Sequence, residues 1–155
     1  MSLDAKQLRN ALGQFATGIC VVTTEFAPNQ FKGMTINSFA SVSLDPALVL
    51  WSIQNDSSCF DLYTKAENFT ISVLNEDQQD ISNQFATPDN QIASADQLDS
   101  NITGAIVDSI AQFRCKAWQV YAGGDHQIIV GEVTDIQTRQ GKPLLFWNGN
   151  YNTVS

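Results

Sequence analysis

Short β-rich runs separated by turn residues constrain this chain more than any other feature of its sequence. Gly18 to Thr24 is β-branched, and Asn68 to Leu74 alternates Phe69, Ile71 and Val73 with Asn68, Thr70 and Ser72, the period of a half-buried strand. After Asp45-Pro46, the apolar run Leu48 to Ile53 reads as a buried strand. Ala105 to Tyr121 supplies one or two strands, His126 to Ile136 a long one and Leu144 to Trp147 a short one. Between the runs stand Ala27-Pro28-Asn29-Gln30, Ala122-Gly123-Gly124-Asp125, Gly141-Lys142-Pro143 and Asn148-Gly149-Asn150, all of them turn chemistry. Strands joined by such turns pair antiparallel. The expected fold is therefore mainly β, a small closed antiparallel barrel with helices plugging its ends.

Helical signals are fewer. Leu3 to Ala16 predicts a helix, with Asp4 and Gln7 as an N-cap pairing and Leu8, Leu12 and Phe15 on one face. Ser58 and Asp61 have capping-box spacing, which predicts a short helix starting near Ser57 or Ser58. Free backbone N–H groups and two hydroxyls at such a start suit a phosphate; a capped surface helix without a ligand is the alternative. Asn75, with Gln78 three residues on, predicts a third helix that turns Ile81 and Phe85 inward. Thr87 to Thr103 is polar and aperiodic, a long loop.

At 155 residues the chain is expected to form one domain, residues 1–155. Sixteen acidic residues against eight basic ones give a net charge of −8. That argues against nucleic acid or an anionic membrane surface as partner, because both are bound through clustered Lys and Arg. No apolar run approaches a membrane span, and the N-terminus lacks the plan of a secretion signal. Cys20, Cys59 and Cys115 are odd in number and widely spaced, which fits reduced thiols in a cytoplasmic protein. A single histidine, His126, argues against an ordinary His/Cys zinc site.

Gly33 to Ile53 carries the most chemistry. Thr35, Asn37, Ser38, Ser41 and Ser43 interrupt a segment that is otherwise apolar, a mixture that suits a flat ligand with a polar rim. An ordinary Ser/Thr-rich strand and turn would read the same way. His126, after the Gly124-Asp125 turn, could be a strand-edge hydrogen-bonder or a functional group. No Gly-x-Ser-x-Gly elbow, Gly-x-Gly-x-x-Gly fingerprint or phosphate loop is present.

The order Gly-Met-Thr-x-Asn-Ser-Phe-x-Ser-Val-Ser-Leu-Asp-Pro-x-Leu-Val-Leu from Gly33 resembles the signature segment of the flavin reductase-like family. Phe15-Ala16-Thr17-Gly18, the Phe69–Leu74 and Ile81–Ala86 segments, Gly124-Asp125-His126 with Ile129–Val133, and Leu144–Tyr151 are similar to further family segments. The resemblance implies an FMN-binding split β-barrel with flanking helices that forms a homodimer. It implies reduction of FMN or FAD by NADH or NADPH, with reduced flavin supplied to a partner oxygenase component. By the same resemblance Thr35, Ile36, Asn37 and Ser38 edge the flavin ring, and Ser52, Ser57 and Ser58 lie towards its ribityl chain and phosphate. Phe85 and Ala86 lie near the ring, Tyr151 near the nicotinamide, and His126 positions NAD(P)H. Cys59 stands where the family commonly has a second hydroxyl, and no Lys or Arg precedes the serines. A flavin carrier without turnover, or an enzyme like pyridoxamine-phosphate oxidase, are the alternatives.

Overall fold

The computed structural model describes residues 2–155. A first helix, α1 (Ala5–Leu12), is followed by β1 (Thr17–Gly18), β2 (Cys20–Ala27), β3 (Gln30–Ile36), β4 (Ala40–Leu44) and β5 (Ala47–Gln54). Then come α2 (Phe60–Thr64), β6 (Asn68–Val73) and α3 (Gln79–Ala86), and two 3-10 turns at Pro88–Asn90 and Ala95–Gln97. A long hairpin, β7 (Ala111–Gly123) and β8 (His126–Thr138), and a short one, β9 (Leu144–Trp147) and β10 (Asn150–Thr153), complete the chain.

The turn signals translate into antiparallel pairing throughout. Seven strands form one sheet in the order β3-β2-β6-β7-β8-β5-β4, and β1, β9 and β10 form a second. The chain crosses between the sheets at Ile19, whose carbonyl accepts from Leu74 N–H (3.0 Å), while the Leu74 carbonyl accepts from Leu144 N–H (3.1 Å). Strand β2 is buried on both faces. Cys20 and Val22 join a core with Trp51, Tyr63, Phe69 and Ile71, and Val21 joins a second with Ile19, Leu74, Phe85, Ile106 and Leu144. The period of two thus divides one strand between two apolar layers.

The fold is mainly β as expected, but the barrel is not closed by hydrogen bonds. Strands β3 and β4 remain the two edges of the large sheet. The outer edge of β3 pairs instead with the polar loop after α3. Gly33 N–H donates to Gln91 O (2.7 Å), Ala93 N–H donates to Phe31 O (3.0 Å), and Lys32 and Ile92 form an antiparallel bridge. Covering an edge with a loop satisfies the same backbone groups that barrel closure would.

The loop is anchored at its far end by Asp99. Its carboxylate accepts from Asn101 N–H (2.8 Å), Arg139 Nη2 (2.7 Å) and Gln137 Nε2 (3.2 Å). These donors, the Asn101 N–H first, hold its pKa down to about 2 against the opposing effect of burial, so the anchor is ionised near neutral pH.

The helices differ from expectation in their starts. Helix α1 is shorter than Leu3–Ala16, its Asp4 cap accepts from Lys6 N–H and not through Gln7, and none of its residues is buried. Leu8, Leu12 and Phe15 stay exposed. Helix α2 begins at Phe60 without a side-chain cap, so Ser58 and Asp61 do not form a capping box. Helix α3 begins after Gln78, and Asn75 caps the preceding turn by accepting from Asp77 N–H (2.7 Å). No helix among the described residues is long and apolar enough to cross a membrane.

Candidate functional site

A cavity of about 650 Å³ opens where β3, β5, α3 and the β7–β8 turn converge. It gathers residues far apart in sequence: Thr35, Ile36, Asn37 and Ser38 from the end of β3, Ser52 from β5, Ser57 and Ser58 from the turn before α2, Phe85 and Ala86 from the end of α3, and His126 from the start of β8. All but one of the site residues implied by the family resemblance therefore face one space, while Ser41 and Ser43 of β4 do not line it. Tyr151 does not line it. Its hydroxyl lies 2.7 Å from Ser82 Oγ and donates to Asn83 Oδ1 (3.0 Å), tying the last hairpin to α3.

The polar groups at this site are unequal in what they have left to offer. Thr35 Oγ1 donates to Ser82 O (2.6 Å), so its hydroxyl serves α3. Ser38 Oγ accepts from Ser52 N–H (3.0 Å) and braces β5 against the departing chain. Ile36 is buried in the larger core and paired with Cys20 of β2, so the backbone free to meet a ligand begins after it. Asn37 and Ser38 stand just past the last β3 residue, beyond the strand pairing. Main-chain dipoles here meet an apolar wall of Met34, Ile53, Phe85 and Pro88. Donors along one edge and apolar surface along the face suit a flat ring with a polar rim.

The serine turn is less generous than a helix start would be. Ser57 N–H donates to Gln54 O (3.1 Å), Cys59 N–H to Ser57 Oγ (3.2 Å) and Phe60 N–H to Ser57 O (3.1 Å). The turn thus uses three of its own N–H groups, leaving chiefly hydroxyls for a phosphate. Asp56 is the acidic side chain of this wall, and among the described residues no Lys or Arg lines the cavity.

His126 sits at the mouth, paired with Gln54 across the sheet and with Gly123 across its hairpin. The turn beneath it is pinned to the serine turn, because Asn55 N–H donates to Asp125 O (2.9 Å) and Asn55 Nδ2 to Gly124 O (3.3 Å). His126 Nδ1 lies 2.7 Å from Asp125 Oδ1, and this hydrogen bond holds the Asp125 carboxyl below its ordinary range. A carboxylate accepts, so Nδ1 carries the hydrogen and Nε2 is the nitrogen left for a ligand. The ring is 38% exposed, enough for a second molecule to reach it.

Sequence reasoning missed Gln91, which lines the cavity from the aperiodic loop, and Asp56, which stands beside the serines. Adjacency to Ser57 could have found Asp56. No local pattern marks Gln91.

Comparison with known proteins gives one answer. The family profile described as flavin reductase like domain matches residues 12–155. The FMN reductase (NADH) SmoA of Agrobacterium fabrum is 40% identical over 153 residues, which is 98% of this chain and 87% of that protein. The reductase component of the flavin-dependent trigonelline monooxygenase of Acinetobacter baylyi is 41% identical over 96% of this chain, which spans 48% of that protein. Among solved structures, the NADH:FAD oxidoreductase SgcE6 of Streptomyces globisporus superposes with a TM-score of 0.88 at 32% identity, covering 100% of this chain and 97% of that one.

Proposed function

This chain belongs to the flavin reductase-like domain family, and on that premise we propose that it reduces FMN or FAD with NADH and supplies reduced flavin to an oxygenase component. The observation that carries this reading is the convergence on one cavity of the β3 edge, the serine turn, Phe85 and His126. Its volume lies within the range of small-molecule sites, and its donor set fits a flavin. Bound flavin supplies the hydride acceptor, so no side chain here needs to move an obligatory proton.

The chain's own contributions are positional and electrostatic. Backbone N–H groups at Asn37 and Ser38 stabilise negative charge on the rim of a reduced ring, being fixed dipoles that need no reorganisation. Phe85 and Pro88 keep water from the ring face, and Ser52, Ser57 and Ser58 take the ribityl chain. His126 offers Nε2 to the nicotinamide, with Asp125 fixing its tautomer. Anaerobic mixing with FMN and excess NADH should bleach flavin absorbance with turnover. Binding without bleaching would leave a carrier and end the reductase reading.

The same experiment with riboflavin tests the neutral phosphate wall. Without a cation, a phosphate gains only neutral hydrogen bonds of about 0.5–1.5 kcal/mol. Riboflavin should therefore turn over with a kcat/KM roughly 2- to 12-fold below that of FMN. A loss beyond a hundredfold would mean that a charged anchor reaches the phosphate.

A homodimer is supported by the apolar surface left uncovered. Leu44 on edge strand β4 is 97% exposed, with Val42 beside it, and the outer half of β7 exposes Trp118, Val120 and Tyr121. Exposed apolar side chains of this size on sheet edges and faces mark contact surfaces. Light scattering at micromolar concentration should give twice the chain mass, and a monomer would remove the dimer.

A further inference from the structure

We propose that Gln91 is a positioning residue that holds three walls of the flavin cavity at their spacing, an inference that rests on the reductase reading. Gln91 belongs to the loop that covers the edge of β3, is 7% exposed and lines the cavity. Its main-chain carbonyl accepts from Gly33 N–H (2.7 Å) at the start of the segment that carries Thr35 to Ser38. Its Nε2 donates to Phe85 O (2.9 Å) at the end of α3. Its Oε1 accepts from the Cys59 thiol (3.5 Å) in the turn that carries Ser57 and Ser58. One residue thereby joins the ring edge, the ring face and the serine turn, which are otherwise separate elements.

The chemistry requires a carboxamide. Nε2 faces a carbonyl and Oε1 faces a thiol, so the amide orientation is fixed by its partners. Glutamate would lose the donor to Phe85 O and bury a charge. Methionine would keep the volume and lose both bonds. Asparagine, one methylene shorter, cannot span both partners.

A role in spacing the walls separates flavin binding from general stability. In Gln91→Met, flavin titrated against protein fluorescence should bind about tenfold more weakly, with the KM for flavin raised to match. The kcat at saturating flavin and the KM for NADH should stay within about twofold of wild type, since no catalytic group has been removed. Tyr63→Phe is the control. Tyr63 is also buried and its hydroxyl lies 3.0 Å from both Val22 O and Lys32 O, so its loss destabilises β2 and β3 without touching the cavity. Tyr63→Phe should lower the melting temperature at least as far as Gln91→Met and leave flavin affinity unchanged. Flavin affinity within twofold of wild type in Gln91→Met, or an equal loss in Tyr63→Phe, would overturn the proposal. Where Gln91→Met does not fold, Gln91→Asn is read by the same criteria. Wild-type protein that binds no flavin overturns the reductase reading itself, a separate result seen before any variant is made.

Discussion

His126→Ala is expected to fold, to bind flavin as the wild type does, and to lose roughly 5- to 150-fold in kcat/KM for NADH. The range corresponds to one lost hydrogen bond to a bound cofactor, about 1–3 kcal/mol. Stability should hardly change, because the hydrogen bond with Asp125 lies at the surface and contributes little to folding. Flavin affinity should be preserved because the groups proposed for the ring edge, Thr35 to Ser38, belong to a different strand. The loss should appear mainly in the KM for NADH if the histidine orients the nicotinamide, and mainly in kcat if it acts after both molecules are bound. Stopped-flow reduction of saturating flavin against NADH concentration separates the two. Wild-type kinetics in a folded variant would remove His126 from the site and leave the NADH side to the other groups at the mouth.

The convergence of His126 with Ser57 was legible in part, and the reason lies in the residues. Gly124-Asp125 announces a turn, and Ser57-Ser58 announce a helix start that the structure makes a turn before α2. That the two turns meet depends on the register Gln54↔His126 and on Asn55 reaching the Asp125 and Gly124 carbonyls. Register follows from the apolar alternation of β5 and β8 together, not from either strand alone. The same limit explains the edge of β3. The turn at Ala27-Pro28-Asn29-Gln30 announces a strand leading into Gly33, but turn chemistry is blind to what covers that strand's free N–H groups, and a polar loop more than fifty residues downstream does so. Asn75 and Ser58 show the limit for helix starts. Both have capping residue types at capping spacing, yet Asn75 is used inside the turn before its helix, and in the serine turn the side chain that accepts a backbone N–H is that of Ser57. At α1 the apolar face was legible in Leu8, Leu12 and Phe15, but a buried stripe requires a partner, and among the described residues none covers it.

Phe85→Ala should cause the largest loss of stability among cavity residues, about 3–5 kcal/mol, and should abolish measurable flavin binding at micromolar concentration. The side chain is fully buried in the second core, with Ile19, Val21, Leu74, Ile106 and Leu144, while the residue also borders the cavity. Truncation removes contacts on the core side and merges the resulting void with the site. Water entering that void would hold the cost towards the lower end of the range. Gly33 supplies the independent check. A Cβ added there would stand 2.7 Å from Phe85 Cδ1, 2.9 Å from Cε1 and 3.1 Å from Val21 Cγ1, so Gly33→Ala alone should cost about 1–3 kcal/mol by overpacking. In a Phe85→Ala background the two shortest contacts vanish, and the added methyl fills part of the void. The double variant should therefore be more stable than the sum of the single losses by about 0.5–3 kcal/mol, measured by urea unfolding of all four proteins. Strict additivity would mean that the Phe85 ring is not seated against Gly33, and the aromatic wall of the cavity would have to be assigned to other residues.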